Sequence, residues 1–238
     1  MPFSVTLHIP ESCFIVTGVR GDATRVPLET GMSFGHVWQR LRRALPDDAV
    51  QEADSRNDDA FSPGPEGEGD ISWDAHHADA LRQIMLWVAG VLEEFSGHSF
   101  AKTSPVHLFP HHMDMALTRF SGRRLPEMAE GEGAGVEYEH EIVSFGFWMG
   151  DDNVPDPSFY GYAWPSPDGA AEAHLSPGSA RWDVAGPRPM ALLSWEDVRL
   201  SGNPRRAALD FLESTFRAVA TSSGWDREAL VVPPVSTW

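Results

Sequence analysis

Apolar and polar residues alternate along Phe3–Ile9 (FSVTLHI) and, in part, along Cys13–Val19 (CFIVTGV), with Pro10-Glu11-Ser12 between them. A period of two is that of a half-buried strand, so the pattern predicts a hairpin, extended by a third strand over Thr24–Leu28. The period then lengthens. Phe34, Val37, Trp38, Leu41 and Leu45 fall at helical spacing behind Ser33, a good N-cap, and Pro46 ends the run. A longer helix is predicted over Trp73–Ser96. It carries Ala78, Leu81, Ile84, Met85, Val88, Val91, Leu92 and Phe95 on one stripe, with Ser72 as its cap and Gly97 as its stop.

Beyond Pro105 the period returns to two. Met113–Phe120, Glu139–Trp148 and Ser158–Ala163 read as strands separated by turns rich in Gly, Pro and Asp, and Met190–Ser194 reads as a short buried strand. Glu127–Gly135 has loop composition, and Pro165–Pro189 shows no period, so both are expected to be irregular. Pro204 suits the first position of a last helix, Arg205–Ser222, which Gly224 terminates. Strands joined mainly by hairpins imply an α+β fold: an antiparallel-rich or mixed sheet with helices packed on one face, in a single domain over residues 1–238.

Charge changes this picture at one place. Asp47–Asp70 holds nine acidic residues against Arg56, together with Pro63-Gly64-Pro65 and little apolar surface. It is expected to be a mobile acidic loop, dispensable for folding and cut first by proteases. The whole chain of 238 residues carries a net charge of −17. Such a surface repels a phosphate backbone, which argues against nucleic acid as a partner. No apolar run is long enough for a membrane span, and the N-terminus lacks the basic and apolar segments of a secretory signal. Cys13 is the only cysteine, which removes intrachain disulfides and cysteine zinc cages and favours a cytoplasmic location.

Candidate chemistry concentrates in Ser104–Arg124, SPVHLFPHHMDMALTRFSGRR, where histidines, an aspartate and arginines interrupt an apolar strand. Buried polar groups must be paired or face a cavity. His107, His111, His112 and Asp114 are metal ligands by type. Pro105 and Pro110 disfavour a helix, and in a strand His107 and His111 would lie about 13 Å apart, too far to share an ion. His112 and Asp114, two apart, share a face at about 6.6 Å, and a neighbouring strand could add His140 or Glu141 to hold a divalent metal ion. His140-Glu141-Ile142-Val143-Ser144 lacks the second histidine of a zincin helix. Arg119, Arg123 and Arg124 could clamp a small anionic molecule, or could pair internally with acids of 137–141. Strand alternation puts Arg119 with Met113, Met115 and Leu117, and Asp114 on the opposite face with Ala116 and Thr118. Trp148, Tyr160, Tyr162 and Trp164 could form an aromatic wall. There is no GxSxG elbow, no GxGxxG and no GxxxxGK[ST].

The blocks SPVHLFPHHMDMALTRFSGRR, EHEIVSFGFWMGD, PDPSFYGYAWPSPDG and LDFLESTFRAVATSSGWDREAL, in that order, resemble the bacterial family DUF5996. Members carry a further N-terminal stretch rich in Trp and His, which this sequence would lack. The resemblance implies a fold unit and candidate residues but no chemistry.

Two functions are therefore carried forward. One is a small-molecule-binding or enzymatic protein with a pocket lined by His107, His112, Asp114, Arg119, Arg123, His140 and Glu141. The other is a non-catalytic interaction or structural module whose His and Arg cluster is internally paired. A concave pocket touching those residues favours the first, and a filled, paired cluster favours the second.

Overall fold

The structure is a computed structural model that describes residues 2–46, 71–109, 112–125 and 139–232. The expected acidic loop at 47–70, the loop expected at 127–135, and His111 lie outside the described residues. Contacts divide the chain into two compact units, Met1–Met85 and Leu86–Trp238.

In the first unit, β1 (Phe3–His8), β2 (Cys13–Gly18) and β3 (Ala23–Pro27) form an antiparallel sheet in sequence order. Cys13, Val16 and Val26 are buried, joined by Leu28 and by Val37 of α1 (Phe34–Ala44), whereas β1 is exposed from Phe3 to Leu7, so the half-burial expected of that strand is not found. Ser33 caps α1 as expected, its side chain accepting from the His36 N–H at 3.1 Å. The next helix, α2 (Ala75–Gly97), starts two residues later than the sequence suggested. Its cap is Asp74 rather than Ser72: the Asp74 Oδ1 accepts from the N–H groups of His76 and His77 at 2.9 and 3.0 Å. Those donors, first of all that of His77, hold the Asp74 carboxyl below the usual carboxylate range.

The second unit is a six-stranded antiparallel sheet of β4 (His107–Phe109), β5 (Asp114–Arg124), β6 (His140–Trp148), β7 (Ser158–Trp164), β8 (Arg181–Asp183) and β9 (Met190–Ser194), in the order β4-β5-β6-β7-β9-β8. Helices α3 (Trp195–Leu200), α4 (Pro204–Ser222) and α5 (Arg227–Leu230) complete it. Asn203 caps α4 through the Arg206 N–H, with Pro204 in the first turn as its sequence position implied. The fold is α+β with an antiparallel sheet. β8, α3 and α5 were not expected, because three to six residues are too few to display a period.

The two faces of this sheet differ. On the inner face, Leu117, Phe145, Phe147, Phe159 and Leu193 are fully buried together with Leu92 and Phe95 of α2 and Phe211, Leu212 and Phe216 of α4. Phe95 meets Phe145 edge-on with centroids 4.8 Å apart, and Phe147 meets Phe159 at 5.1 Å. Burying each such side chain contributes about 1.5–3 kcal/mol. Gly161 lets α4 approach closely, since a Cβ there would stand 2.7 Å from the Thr215 methyl. The opposite, outer face carries Asp114, Thr118, Ser144, Tyr160 and Tyr162.

Candidate functional site

The register of β5, β6 and β7 determines what the outer face presents. Ala116 pairs with Gly146 and Gly146 with Tyr160; Thr118 pairs with Ser144 and Ser144 with Tyr162. Tyr160 in turn pairs with Leu192 of β9. Paired residues in an antiparallel ladder point to the same side, so these rows cross one continuous surface. Asp114 precedes Met115, which pairs with Phe147, and so stands level with Trp148 at one end of that surface.

Tyr160 is the centre of the arrangement. A Cβ on Gly146 would come within 2.5 Å of its ring and hydroxyl, so the glycine is what lets the ring lie across β6. Its hydroxyl then reaches β5 and donates to Asp114 Oδ2 at 2.5 Å. Trp148 meets Tyr160 edge-on at 5.2 Å, and Tyr162 lies nearly parallel to Tyr160 at 6.0 Å with an interplanar angle of 16°. Ala116, Trp148, Val154, Tyr160 and Leu192 form a buried cluster, against which Tyr162 and Met190 pack.

Above this floor lies a pocket of about 270 Å³ lined by His112, Asp114, Trp148, Asp151, Tyr160, Tyr162 and Met190. Asp151 enters from the turn after β6. Its Oδ1 accepts the N–H groups of Asn153 and Val154, each at 2.8 Å, which fixes the carboxylate at the rim. Gly150, at φ 95°, supplies the positive-φ residue the turn needs, and a Cβ there would strike the Val154 carbonyl at 2.6 Å.

The pocket unites some of the residues singled out in the sequence and leaves others elsewhere. His112, Asp114, Trp148, Tyr160 and Tyr162 come together. His107 lies beside Ala116 on edge strand β4, its Nδ1 2.9 Å from the Pro105 carbonyl and its ring 4.1 Å from Phe109, outside the pocket lining. The alternation of β5 holds from Asp114 to Phe120, and the register shifts only between Phe120 and Arg124. Arg119 is accordingly on the inner face.

Arg119 is fully buried, and the acidic partner expected for it is absent from direct contact among the described residues. Instead its guanidinium stacks on Phe95, 3.4 Å from the ring centroid, and lies 4.7 Å from the Phe216 centroid. One Nη donates to the Phe95 carbonyl in the last turn of α2, while Nε and Nη1 find no partner among the described residues. The arginine thus adds a second donor to a carbonyl at the end of α2, which also accepts the His98 N–H. Burial pushes its pKa down to about 10, and the charge of Glu213 works in the other direction.

Arg123 and Glu141 form a second inner assembly. They pair at 2.9 Å, Arg123 also donates to the Ser223 carbonyl at 2.6 Å, and Trp225 Nε1 donates to Glu141 at 2.8 Å. This is the internal pairing the sequence offered as an alternative to an anion clamp. The proposed metal set of His112, Asp114, His140 and Glu141 does not assemble. His140 is level with Arg124, eight residues along β6 from Trp148, hence roughly 26 Å from Asp114 along the strand. Glu141, the next residue, points to the inner face. Among the described residues, no group of three or more His, Cys, Asp or Glu is arranged to hold a metal ion.

Asp151 and Met190 were missed. Asp151 sits in a Gly150-Asp151-Asp152-Asn153 run that signals a turn, and only the fold shows that this turn ends beside Asp114. Met190 begins an apolar strand and gives no polar signal.

An antiparallel sheet with helices on one face and an aromatic, acidic pocket on the other defines the second unit as an α+β protein with a concave site borne on strands. The chain belongs to DUF5996, a family of unknown function, which it matches over residues 2–232. No curated protein and no solved structure matches it. No helix among the described residues is long and apolar enough to cross a membrane.

Proposed function

We propose that the second unit binds a small organic molecule in the pocket on the outer sheet face. The observation that carries this reading is the placement of Trp148, Tyr160 and Tyr162 around the Asp114 carboxylate, with Tyr160 fixed between Gly146 and Asp114. Apolar walls with a few convergent polar groups are the usual make-up of a ligand site, and rigid strands hold such groups more precisely than loops. The volume of about 270 Å³ suits a compact ligand. The structural reading is favoured for a different subset: Arg119, Arg123 and Glu141, each engaged on the inner face.

A mixture of cationic, neutral and anionic fragments, screened by saturation-transfer NMR, tests the reading. At least one fragment should bind wild type and lose binding when Met190→Trp fills the pocket. Fragments that bind both proteins equally, or no binding fragment at all, would contradict it.

A further inference from the structure

We infer that the ligand of this pocket presents an organic cation, an alkylammonium group, to the aromatic wall. This deepens the binding reading above and rests on it.

The first ground is charge. Asp114 and Asp151 both line the pocket beside His112, and among the described residues neither Lys nor Arg does. An anion entering there would meet two carboxylates at close range, at a site partly shielded from water, where like charges repel most strongly. The arginines that could have received an anion are engaged elsewhere: Arg119 is stacked on Phe95 and Arg123 is paired with Glu141. The net charge of −17 also draws cations toward the surface as a whole.

The second ground is ring geometry. Aromatic faces carry the negative side of the ring quadrupole and attract cations placed over them. Trp148 and Tyr160 meet at 73°, and Tyr160 and Tyr162 lie within 16° of parallel, so the wall offers ring surfaces in two orientations. Tyr160 is anchored to Asp114, which couples ring and carboxylate into one unit.

The third ground is independent of the pocket's own charges. The chain already places a cation on this same aromatic row. Arg188 lies over Tyr162 at 5.1 Å and over Trp164 at 5.5 Å. It does so in an adjoining cavity of about 310 Å³ that shares Tyr162 and Met190 with the pocket. Tyr162 therefore borders both the cavity that holds this guanidinium and the pocket, and the aromatic row that carries the chain's own cation continues into the pocket through Tyr160 and Trp148.

Three probes of similar shape separate charge from size: choline, its uncharged carbon isostere 3,3-dimethylbutan-1-ol, and the pivalate anion. Titrated against the full chain by NMR, choline should bind about ten-fold more tightly than the neutral isostere, and pivalate should not bind. Asp114→Asn and Asp151→Asn should each reduce the preference for choline, and Trp148→Leu should weaken choline and the isostere together. Two aspartate variants are used so that a folding defect in one leaves the other to decide. Equal affinity for choline and its isostere, or tighter binding of pivalate, overturns the inference. If choline fails while the fragment screen still finds pocket ligands, the cation is wrong and the pocket stands. If both fail, the binding reading falls as well.

Discussion

Gly146 and Tyr160 are paired across β6 and β7, and the Tyr160 ring occupies the space that any side chain at position 146 would need. The two residues together make the pocket floor. A glycine inside a strand normally weakens it, by loss of packing and by added chain entropy. Here it lets a tyrosine reach from β7 to an aspartate on β5.

Gly146→Ala should therefore act on stability and on the site together. The new methyl would start 2.5 Å from the ring, which is buried and cannot simply swing away. Overpacking of this kind costs about 1–3 kcal/mol. Urea unfolding should show that loss, and the fragments that bind wild type should no longer bind. A variant of unchanged stability that keeps its ligands would mean that Tyr160 does not need the glycine.

Arg119 gives a second expectation, with opposite signs for two substitutions. Its guanidinium is buried with two nitrogens lacking partners, so the charge is costly to hold. Arg119→Met keeps volume and removes that cost, and the Phe95 carbonyl retains its bond from the His98 N–H at 3.1 Å. This variant should be at least as stable as wild type at neutral pH. Arg119→Ala leaves a cavity between Phe95 and Phe216 and should lose about 2–5 kcal/mol.

The pH dependence of the Arg119 comparison follows from its depressed pKa. Burial pushes the guanidinium of the folded chain down to about 10, below the ordinary arginine value that it keeps when unfolded. Below about pH 10 both states are protonated and the burial cost is present in full. Between about pH 10 and the unfolded value the unfolded chain binds more protons, so this group's contribution to stability rises with pH. The advantage of Arg119→Met should accordingly shrink as pH is raised past about 10, in denaturant titrations of both proteins. An advantage that stays constant, or grows, would show that burial does not depress this group.

Much of the fold was legible because it rests on local periods. The hairpin β1–β2, the helix behind Ser33 and the helix at Pro204 follow from spacing and capping residues that act within a turn or two. The face assignment of β5 was legible for the same reason: alternation alone separates Asp114 from Arg119. What the sequence could not supply was the partner of each polar residue. Arg119 resembles a site residue in the sequence, but it serves the end of a helix 24 residues earlier. His140 and Asp114 belong to paired strands, yet strand register separates them by most of the length of β6. Asp151 joins Asp114 only through the turn that follows β6. Each of these depends on register and on tertiary placement, which no local pattern encodes.

The most direct measurement uses the indole N–H signals. The chain has nine tryptophans, and Trp148→Phe identifies the Trp148 signal in a proton–nitrogen correlation spectrum by its disappearance. Titration of wild type with a fragment that binds should shift the Trp148 signal saturably, with the Trp87 and Trp225 signals, which belong to the inner face, staying in place. A bound fragment that moves Trp87 or Trp225 and leaves Trp148 unmoved would place the site elsewhere and contradict the account.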